Sequence, residues 1–551
     1  MLARYQAGWL RGDVIGGLTV GAMLVPQSMA YAELAGMPPE AGFYAALGAL
    51  VVYALFGTSR HLGVGPEPGT ALLAAAGVGS LAGGDPRRYA TLMAALALTV
   101  AGLCVLAAAL RLGFVAAVLS RPVLVGYITG VGLTLISSQL GALLGLSVEA
   151  DRLLPRIREV AGEIDGVHGP TLAVGALALA AILGLRRLAP RLPGGLLVIA
   201  AASVVVAVSG LDEEGVRLVG ALPQGLPTPA VPGVSAGDVG RLVPIAAGIA
   251  LVGFTDNLLT ARSIASRRRE RIDPNQELLA LGMTNLVAGV SQGFPVSSSA
   301  SRTAVPASLG SSTQVVSLIA AGFAVAALTV ASPLLEHVPR AALAAVIVAA
   351  ALAIIDVVGF RSLWRVNREE AFLAAVAATG VVVFDVLVGV VIAIVLSTLV
   401  ALAHVARPHD AVLGDLPGVD GWVDVDAYRD AVTEPGLLVY RFDAPLFFVN
   451  ADRFCERVEA VLAANEGAED WLVLDFEGVG ALDSTAAEAL GELLARVAAA
   501  GVTSFAIARA NDHVVALLHR AGLLSPRGPL IVYPTINAAV RAYRARAANS
   551  G

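Results

Sequence analysis

From residue 14 to residue 406 the chain is a train of apolar stretches separated by short breaks rich in Gly, Pro and Arg. A helix needs about 20 largely apolar residues to cross the hydrocarbon of a bilayer. Within lipid the backbone must satisfy its own hydrogen bonds, which makes each such stretch a helix. The stretches fall near 14–34, 41–57, 67–82, 89–110, 122–146, 171–187 and 194–210. A polar stretch follows at 211–241 and includes Leu222-Pro223-Gln224-Gly225-Leu226-Pro227-Thr228-Pro229. A second series falls near 243–264, 276–292, 297–309, 314–334, 340–356, 371–386 and 388–406. The pattern predicts a polytopic α-helical membrane domain of fourteen segments, seven in each half. Composition agrees, because 57% of residues are hydrophobic and only 15% are charged, against about 25% charged in soluble proteins.

An odd number of segments per half inserts the second half upside down, which makes an inverted repeat. The third segment of each half, 67–82 and 297–309, is too short to span and follows a Gly/Pro-rich stretch. Short, interrupted segments at matching places in two halves point to a transporter's binding site. With the N-terminus inside, the inner loops carry most of the Arg, including Arg186, Arg187 and Arg191, and Arg262, Arg267, Arg268, Arg269 and Arg271. The outer loops carry fewer, among them Arg156, Arg217 and Arg340, and hold the acidic run Asp212-Glu213-Glu214. This asymmetry follows the positive-inside rule. It predicts a multi-pass protein of the inner (plasma) membrane, in contact with lipid, with both the N-terminus and the tail in the cytoplasm.

The net charge of −6 comes without a basic stripe, which excludes a nucleic-acid partner. Cys104 and Cys455 are too far apart in the sequence to suggest a disulfide framework or a metal site. No nucleophile–base pair, metal-ligand set or phosphate-cradling loop stands out, so neither an enzyme nor a cofactor is expected.

Beyond Arg407 the pattern changes. Residues 437–450 and 471–475 read as strands, 451–464 and 485–500 as helices, and 503–508 as a further strand. Strands alternating with helices predict a small α/β domain. The expected boundaries are 1–407 for the membrane domain, with repeats at about 14–210 and 243–406, then 408–435 for a linker and 436–551 for the tail domain.

Several motifs resemble one family in the right order along nearly the whole chain. They are Pro26-Gln27-Ser28-Met29-Ala30-Tyr31-Ala32, Leu34-Ala35-Gly36-Met37-Pro38-Pro39 and Gly42-Phe43-Tyr44, with Gly65-Pro66 before the third segment. Further along come Asn275-Gln276-Glu277-Leu278 with Gly282 and Asn285, and Gly293-Phe294-Pro295 leading to Ser301-Arg302. These resemble the signature of the sulfate permease (SulP) family of anion transporters. Asp475-Phe476-Glu477-Gly478 through Asp483-Ser484-Thr485-Ala486 resembles the loop of the STAS domain, shared with anti-sigma-factor antagonists. The resemblance implies a seven-plus-seven inverted repeat with core and gate subdomains, often in homodimers. It also implies a STAS tail that meets a cytoplasmic protein or a nucleotide.

The residues themselves suggest an anion site. The third segment starts near Glu67-Pro68-Gly69-Thr70 and its counterpart near Ser297-Ser298-Ser299. Two helix starts facing each other would present unpaired N–H groups and partial positive charge to an anion. An intramembrane Arg302 adds charge and is costly without a function; the alternative is a salt bridge with Asp256. Gln27 and Tyr31, one turn apart after Pro26, would line the cavity or join helices. Asp256 and Thr260 share a helix face and resemble the Na⁺ site of sodium-dependent bicarbonate members; the carboxylate could equally carry a proton. Glu67 is either a helix cap or a second, weaker proton-coupling group. Ser484 and Thr485 lie where anti-sigma-factor antagonists are phosphorylated, though an N-cap explains them more simply. The expected function is cation-coupled sulfate uptake by alternating access. Na⁺–bicarbonate symport and H⁺–dicarboxylate transport are the alternatives, with a passive anion channel or exchanger, or a STAS-based signalling protein, as different classes.

Overall fold

The computed structural model describes residues 5–550 apart from 118–119, 149, 151, 190–191, 221–224, 269, 385, 419–420, 465–469 and 525–528. Arg191 and Arg269 of the topology reading, and Leu222-Pro223-Gln224 of the central loop, therefore lie outside the described residues. The chain divides into two units, Met1–Ser397 and Thr398–Gly551, each treated by itself.

The first half runs α1 (Leu10–Leu34), α2 (Pro39–Phe56), strand β1 (Gly63–Gly65), α3 (Pro68–Ala82), α4 (Pro86–Ala109), α5 (Arg121–Ser138), its continuation α6 (Leu140–Leu144), α7 (Leu153–Gly162), α8 (Gly169–Leu188) and α9 (Gly194–Ser209). The second runs α10 (Ala236–Arg268), α11 (Pro274–Val290), β2 (Ser297–Ser299), α12 (Ala300–Ser308), α13 (Val315–Thr329), α14 (Ser332–Leu335), α15 (Arg340–Ile354), α16 (Val357–Val366), α17 (Arg368–Val383) and α18 (Val386–Ala406). Every apolar stretch read from the sequence has its helix. Helix starts are marked by Pro in the first turn of α2, α3, α4, α5, α8 and α11, where its missing N–H costs nothing. Left-handed Gly83, Gly145 and Gly210 end α3, α6 and α9.

Among the described residues, seven helices are long and apolar enough to cross a membrane, while α3, α9 and α13 are shorter apolar helices. Large apolar side chains point outward all around, such as Leu55, Leu177, Val208 and Phe372. In water that surface would drive aggregation; in lipid it costs nothing. The bundle separates into two groups. Helices α1, α2, α4, α10, α11 and α13 pack on one another and carry α3 and α12, whereas α5, α8, α9, α15 and α17 pack together. Each half thus contributes its first three long helices and its short one, α3 or α12, to one group and later helices to the other, as expected of a core and a gate.

Close helix contact in the first group depends on glycine. A Cβ on Gly42 of α2 would stand 1.9 Å from the Ser28 carbonyl oxygen of α1. Backbone cannot give way as a side chain tip can. Gly42→Ala is expected to cost about 1–3 kcal/mol by overpacking, read as a lower unfolding temperature of the purified protein in detergent.

The second unit holds a six-stranded sheet in the order β4-β3-β5-β6-β7-β8, with β3 (Asp410–Asp415), β4 (Trp422–Asp424), β5 (Leu437–Phe442), β6 (Trp471–Asp475), β7 (Ser504–Ala508) and β8 (Leu530–Tyr533). Strands β5 to β8 run parallel, linked by α19 (Ala451–Ala464), α20 (Ser484–Ala499) and α21 (Asp512–Arg520); α22 (Ile536–Ser550) follows β8. Leu438 and Tyr440 enter one core and Leu437 and Val439 the other. Strands buried on both faces read as unbroken apolar runs, which is why this region was legible. Two expectations differ. The 408–435 segment, expected as a linker, supplies β3 and β4, antiparallel at one edge; their short, Asp- and Gly-containing sequences carry no alternation to detect. Strand β5 ends at Phe442 rather than continuing to 450. Buried Asp475, at the end of β6, accepts hydrogen bonds from Arg441 Nε (2.8 Å) and Arg509 Nε (3.0 Å), tying three strand ends together.

Candidate functional site

Strands β1 and β2 pair antiparallel in the middle of the first unit, with Gly63 opposite Ser299, Val64 opposite Ser298 and Gly65 opposite Ser297. Each strand leads within a few residues into a helix, β1 into α3 and β2 into α12. An antiparallel ribbon sends the two following helices away in opposite directions and leaves their N-termini flanking it. Gly63 allows the close approach, because a Cβ on it would lie a tight 3.0 Å from the Arg302 Cβ.

Arg302, in the first turn of α12, is 1% exposed. Its Nη1 donates to Gln27 Oε1 of α1 (3.0 Å) and its Nη2 to the Pro66 carbonyl oxygen (2.7 Å). Its Nε is buried without a partner. Among the described residues no carboxylate forms an ion pair with it. The Asp256 salt bridge offered as the alternative is thus not made. Glu67 and Arg302 sense each other electrostatically without pairing. A buried, unpaired guanidinium costs several kcal/mol, which an anion bound beside it would offset.

The two helix starts are not equivalent. At α3 the Glu67 carboxylate is the N-cap and accepts from Thr70 N (2.9 Å) and Thr70 Oγ1 (3.3 Å), so this start is already partly occupied by negative charge. Thr70 Oγ1 also shares a hydrogen bond with Ser297 Oγ of β2 (2.8 Å), and Gly69 lies between Glu67 and Thr70 in that turn. At α12 Ser299 Oγ accepts from Arg302 N at a long 3.5 Å, while Ala300 and Ser301 are exposed in front of the buried Arg302. The α12 start is the more available anion receptor. Tyr31 is 3% exposed, one turn after Gln27.

Behind the ribbon, Ser298 Oγ donates to Asp256 Oδ2 (2.8 Å) and Ser298 N donates to Asn257 Oδ1 (2.7 Å). Asp256 therefore contacts the same three-residue strand that leads into α12. Thr260 lies one turn along α10, but its side chain makes no hydrogen bond to Asp256. Two residues escaped the sequence reading. Asn257, fully buried with a partnerless Nδ2, could have been noticed as a polar neighbour of Asp256 in an apolar helix. Tyr127 of α5 left no signal: it is 3% exposed, its hydroxyl has no partner, and both Glu67 and Asp256 act on it electrostatically.

In the tail unit the cap of α20 is Asp483, whose Oδ1 accepts from Ala486 N (2.8 Å) and Oδ2 from Phe448 N (2.9 Å). Ser484 and Thr485 are exposed in the first turn. The N-cap explanation for these two residues is therefore corrected: the residue before them does that work.

A membrane-embedded bundle of two inverted halves, meeting at paired helix starts around a buried cation, defines a membrane-transporter architecture. Residues 10–377 match the family model described as the sulfate permease family and residues 428–539 that of the STAS domain; the chain belongs to the sulfate permease family and is a multi-pass anion transporter of that family, not an enzyme. It is 47% identical over 542 residues to a "probable sulfate transporter" of Mycobacterium tuberculosis, covering 98% of this chain and 97% of that one. In fold it is similar to the murine solute carrier 26 family member A9 anion transporter in the inward-facing state, with a TM-score of 0.90 at 23% identity over 99% of this chain and 93% of that one. The transmembrane domain of the cyanobacterial bicarbonate transporter BicA matches 71% of this chain and 98% of its own, with a TM-score of 0.63 at 23% identity. These two structures bear on the fold alone.

Proposed function

We propose that the protein takes up a small inorganic oxyanion, sulfate in the first place, by cation-coupled alternating access. The observation that carries this reading is the buried Arg302 guanidinium, which among the described residues has a partnerless Nε and no carboxylate ion pair. Bound between the starts of α12 and α3, the anion receives hydrogen bonds from Arg302 and from the α12 start, with Gln27, Tyr31, Gly69, Thr70 and the Ser297–Ser299 run shaping the site. Sulfate suits a site with several fixed donors because it offers only acceptors. The relative named a probable sulfate transporter supports the same substrate.

Coupling runs through Asp256. A proton or Na⁺ at its carboxylate removes a negative charge from the strand that presents α12, so cation and anion favour each other's binding. Reciprocal coupling of this kind acts equally in both directions. Na⁺ held by Asp256 and Thr260 with bicarbonate as substrate is the second reading, favoured by the register of those two side chains on one helix face. The two groups of helices rock against each other around the site. The membrane is the plasma membrane, both termini are cytoplasmic, and the protein works as a homodimer with a membrane domain at 1–407 and a STAS domain that takes in the strands of 408–435 together with 436–551. The tail is regulatory, with Ser484 and Thr485 as exposed modification points and a cytoplasmic protein or nucleotide as its ligand.

The test is uptake of radiolabelled sulfate and bicarbonate into proteoliposomes under an inward proton gradient, an inward Na⁺ gradient, or neither. Sulfate accumulation that needs one of the gradients is the expected result. Sodium-driven bicarbonate accumulation without sulfate uptake replaces it with the second reading. Movement of neither anion refutes both.

A further inference from the structure

A second cluster of basic side chains lies apart from the Arg302 site. A cavity of about 360 Å³ is lined by Ser138, Ser147, Thr171, Arg156, Arg217 and Arg340, among others, and by none of the residues placed at the central site. It lies where α1, α5 and α6 end and α8 and α15 begin. The Leu144 carbonyl oxygen accepts from His168 N (3.0 Å), and Arg340 Nε stands 3.5 Å from Glu33 near the end of α1. Its volume is at the small end of ligand sites, which run from about 300 to 1,000 Å³.

The backbone forces two of the arginines together. Arg340 N donates to the Arg217 carbonyl oxygen (3.0 Å), Leu218 bridges Pro339, and Val219 N donates to the Val338 carbonyl oxygen (2.9 Å). The segment after α9 and the segment before α15 are thus stitched in register, so Arg217 and Arg340 sit side by side. Like charges held as neighbours repel each other unless a counter-charge lies between them. The third, Arg156, is anchored by Nε to the Ala150 carbonyl oxygen (2.9 Å) and by Nη1 to Ser137 Oγ (3.2 Å). Arg217 Nη2 reaches Ser147 Oγ (3.3 Å) and Arg340 Nε the Leu218 carbonyl oxygen (3.2 Å). Among the described residues, two carboxylates stand close by: Glu33 beside Arg340, and Glu159, which accepts from Ala150 N (2.9 Å). Among the described residues, the three guanidinium groups around this one small cavity outnumber the two carboxylates beside them, while the Ser138 and Thr171 hydroxyls are already bonded to the Leu135 carbonyl oxygen and to His168 Nδ1. The excess of positive charge is the complement of a tetrahedral oxyanion.

We infer that this cavity binds a small oxyanion at the end of the bundle where α1 finishes, and that it gathers the anion before transfer to the Arg302 site. The second clause rests on the proposed uptake function and, through its topology, places the cavity on the outer face. The chemistry recognised is a sulfate- or phosphate-like group, supplied either by the free anion or by a lipid headgroup.

The test is equilibrium binding of radiolabelled sulfate to the purified full-length protein carrying Arg302→Ala, which silences the central site. Saturable binding should persist in that variant and disappear when Arg217→Gln is added; Arg217 is exposed, so this change spares the fold. Loss of all binding on Arg302→Ala alone, or binding that survives both Arg217→Gln and Arg340→Gln, overturns the inference and leaves the central site untouched. Sulfate retained in the presence of short-chain phosphatidylglycerol identifies the free anion as ligand, and displacement identifies the headgroup. In proteoliposomes Arg217→Gln alone should raise the KM for sulfate offered to that face about tenfold, as loss of electrostatic gathering predicts, with kcat retained. An unchanged KM refutes the gathering role.

Discussion

Arg302→Ala abolishes anion uptake while the protein remains folded. Removing the guanidinium takes away a buried cation at the meeting point of α1, α12 and the β1–α3 loop. Breaking a buried charge interaction costs about 3–5 kcal/mol, and each 1.4 kcal/mol is tenfold in affinity. Sulfate uptake in proteoliposomes should therefore fall at least about a hundredfold. The fold should survive, because the residue's own burial is unfavourable without an anion; its elution on size exclusion and its unfolding temperature check this. Arg302→Lys keeps the charge but loses the planar fork that reaches Gln27 and Pro66 together, and should recover only part of the activity. Gln27→Ala, which removes a single neutral partner, separates the positioning of Arg302 from its charge: it should weaken uptake far less than Arg302→Ala. Wild-type uptake in Arg302→Ala would refute the assigned site.

Asp256→Asn uncouples anion movement from the cation. The amide keeps the size of the side chain and can still accept from Ser298 Oγ, so the strand that leads into α12 stays in place. What is lost is the charge that a proton or Na⁺ neutralises. Uptake should no longer respond to an imposed proton or Na⁺ gradient, while exchange of anion down its own gradient persists. Accumulation against a concentration gradient should drop by about tenfold or more, the size of a coupling free energy of about 1–3 kcal/mol. Thr260→Val separates the ions: it should weaken Na⁺ dependence and leave proton dependence unchanged. Gradient responses equal to those of the unaltered protein in Asp256→Asn would remove Asp256 from the coupling mechanism.

The helical architecture was legible because a membrane helix satisfies its own backbone and its length is set by the bilayer. Hydropathy therefore marked the apolar helices without knowledge of their neighbours, while the amphipathic α7 and α16 went unread. The half-helix starts were legible for a similar local reason, since Glu67-Pro68-Gly69-Thr70 and Ser299 carry cap and first-turn chemistry in adjacent residues. In the tail, strands β5, β6 and β7 announced themselves as apolar runs, while β3 and β4, short and polar, did not.

What only the tertiary structure decided are the contacts between distant segments. The pairing of Gly63 with Ser299 joins residues from the two halves, and no local pattern encodes it. From that ribbon follow the partners of Arg302 and the bond of Ser298 to Asp256 rather than an Arg302–Asp256 salt bridge. The partnerless hydroxyl of Tyr127 and the enforced neighbours Arg217 and Arg340 are of the same kind. Hydropathy fixes which segments enter the membrane, because transfer from water is a property of each residue. Polar side chains inside the bundle are satisfied only by whichever elements packing brings to them, so their roles emerge only once the two halves have met.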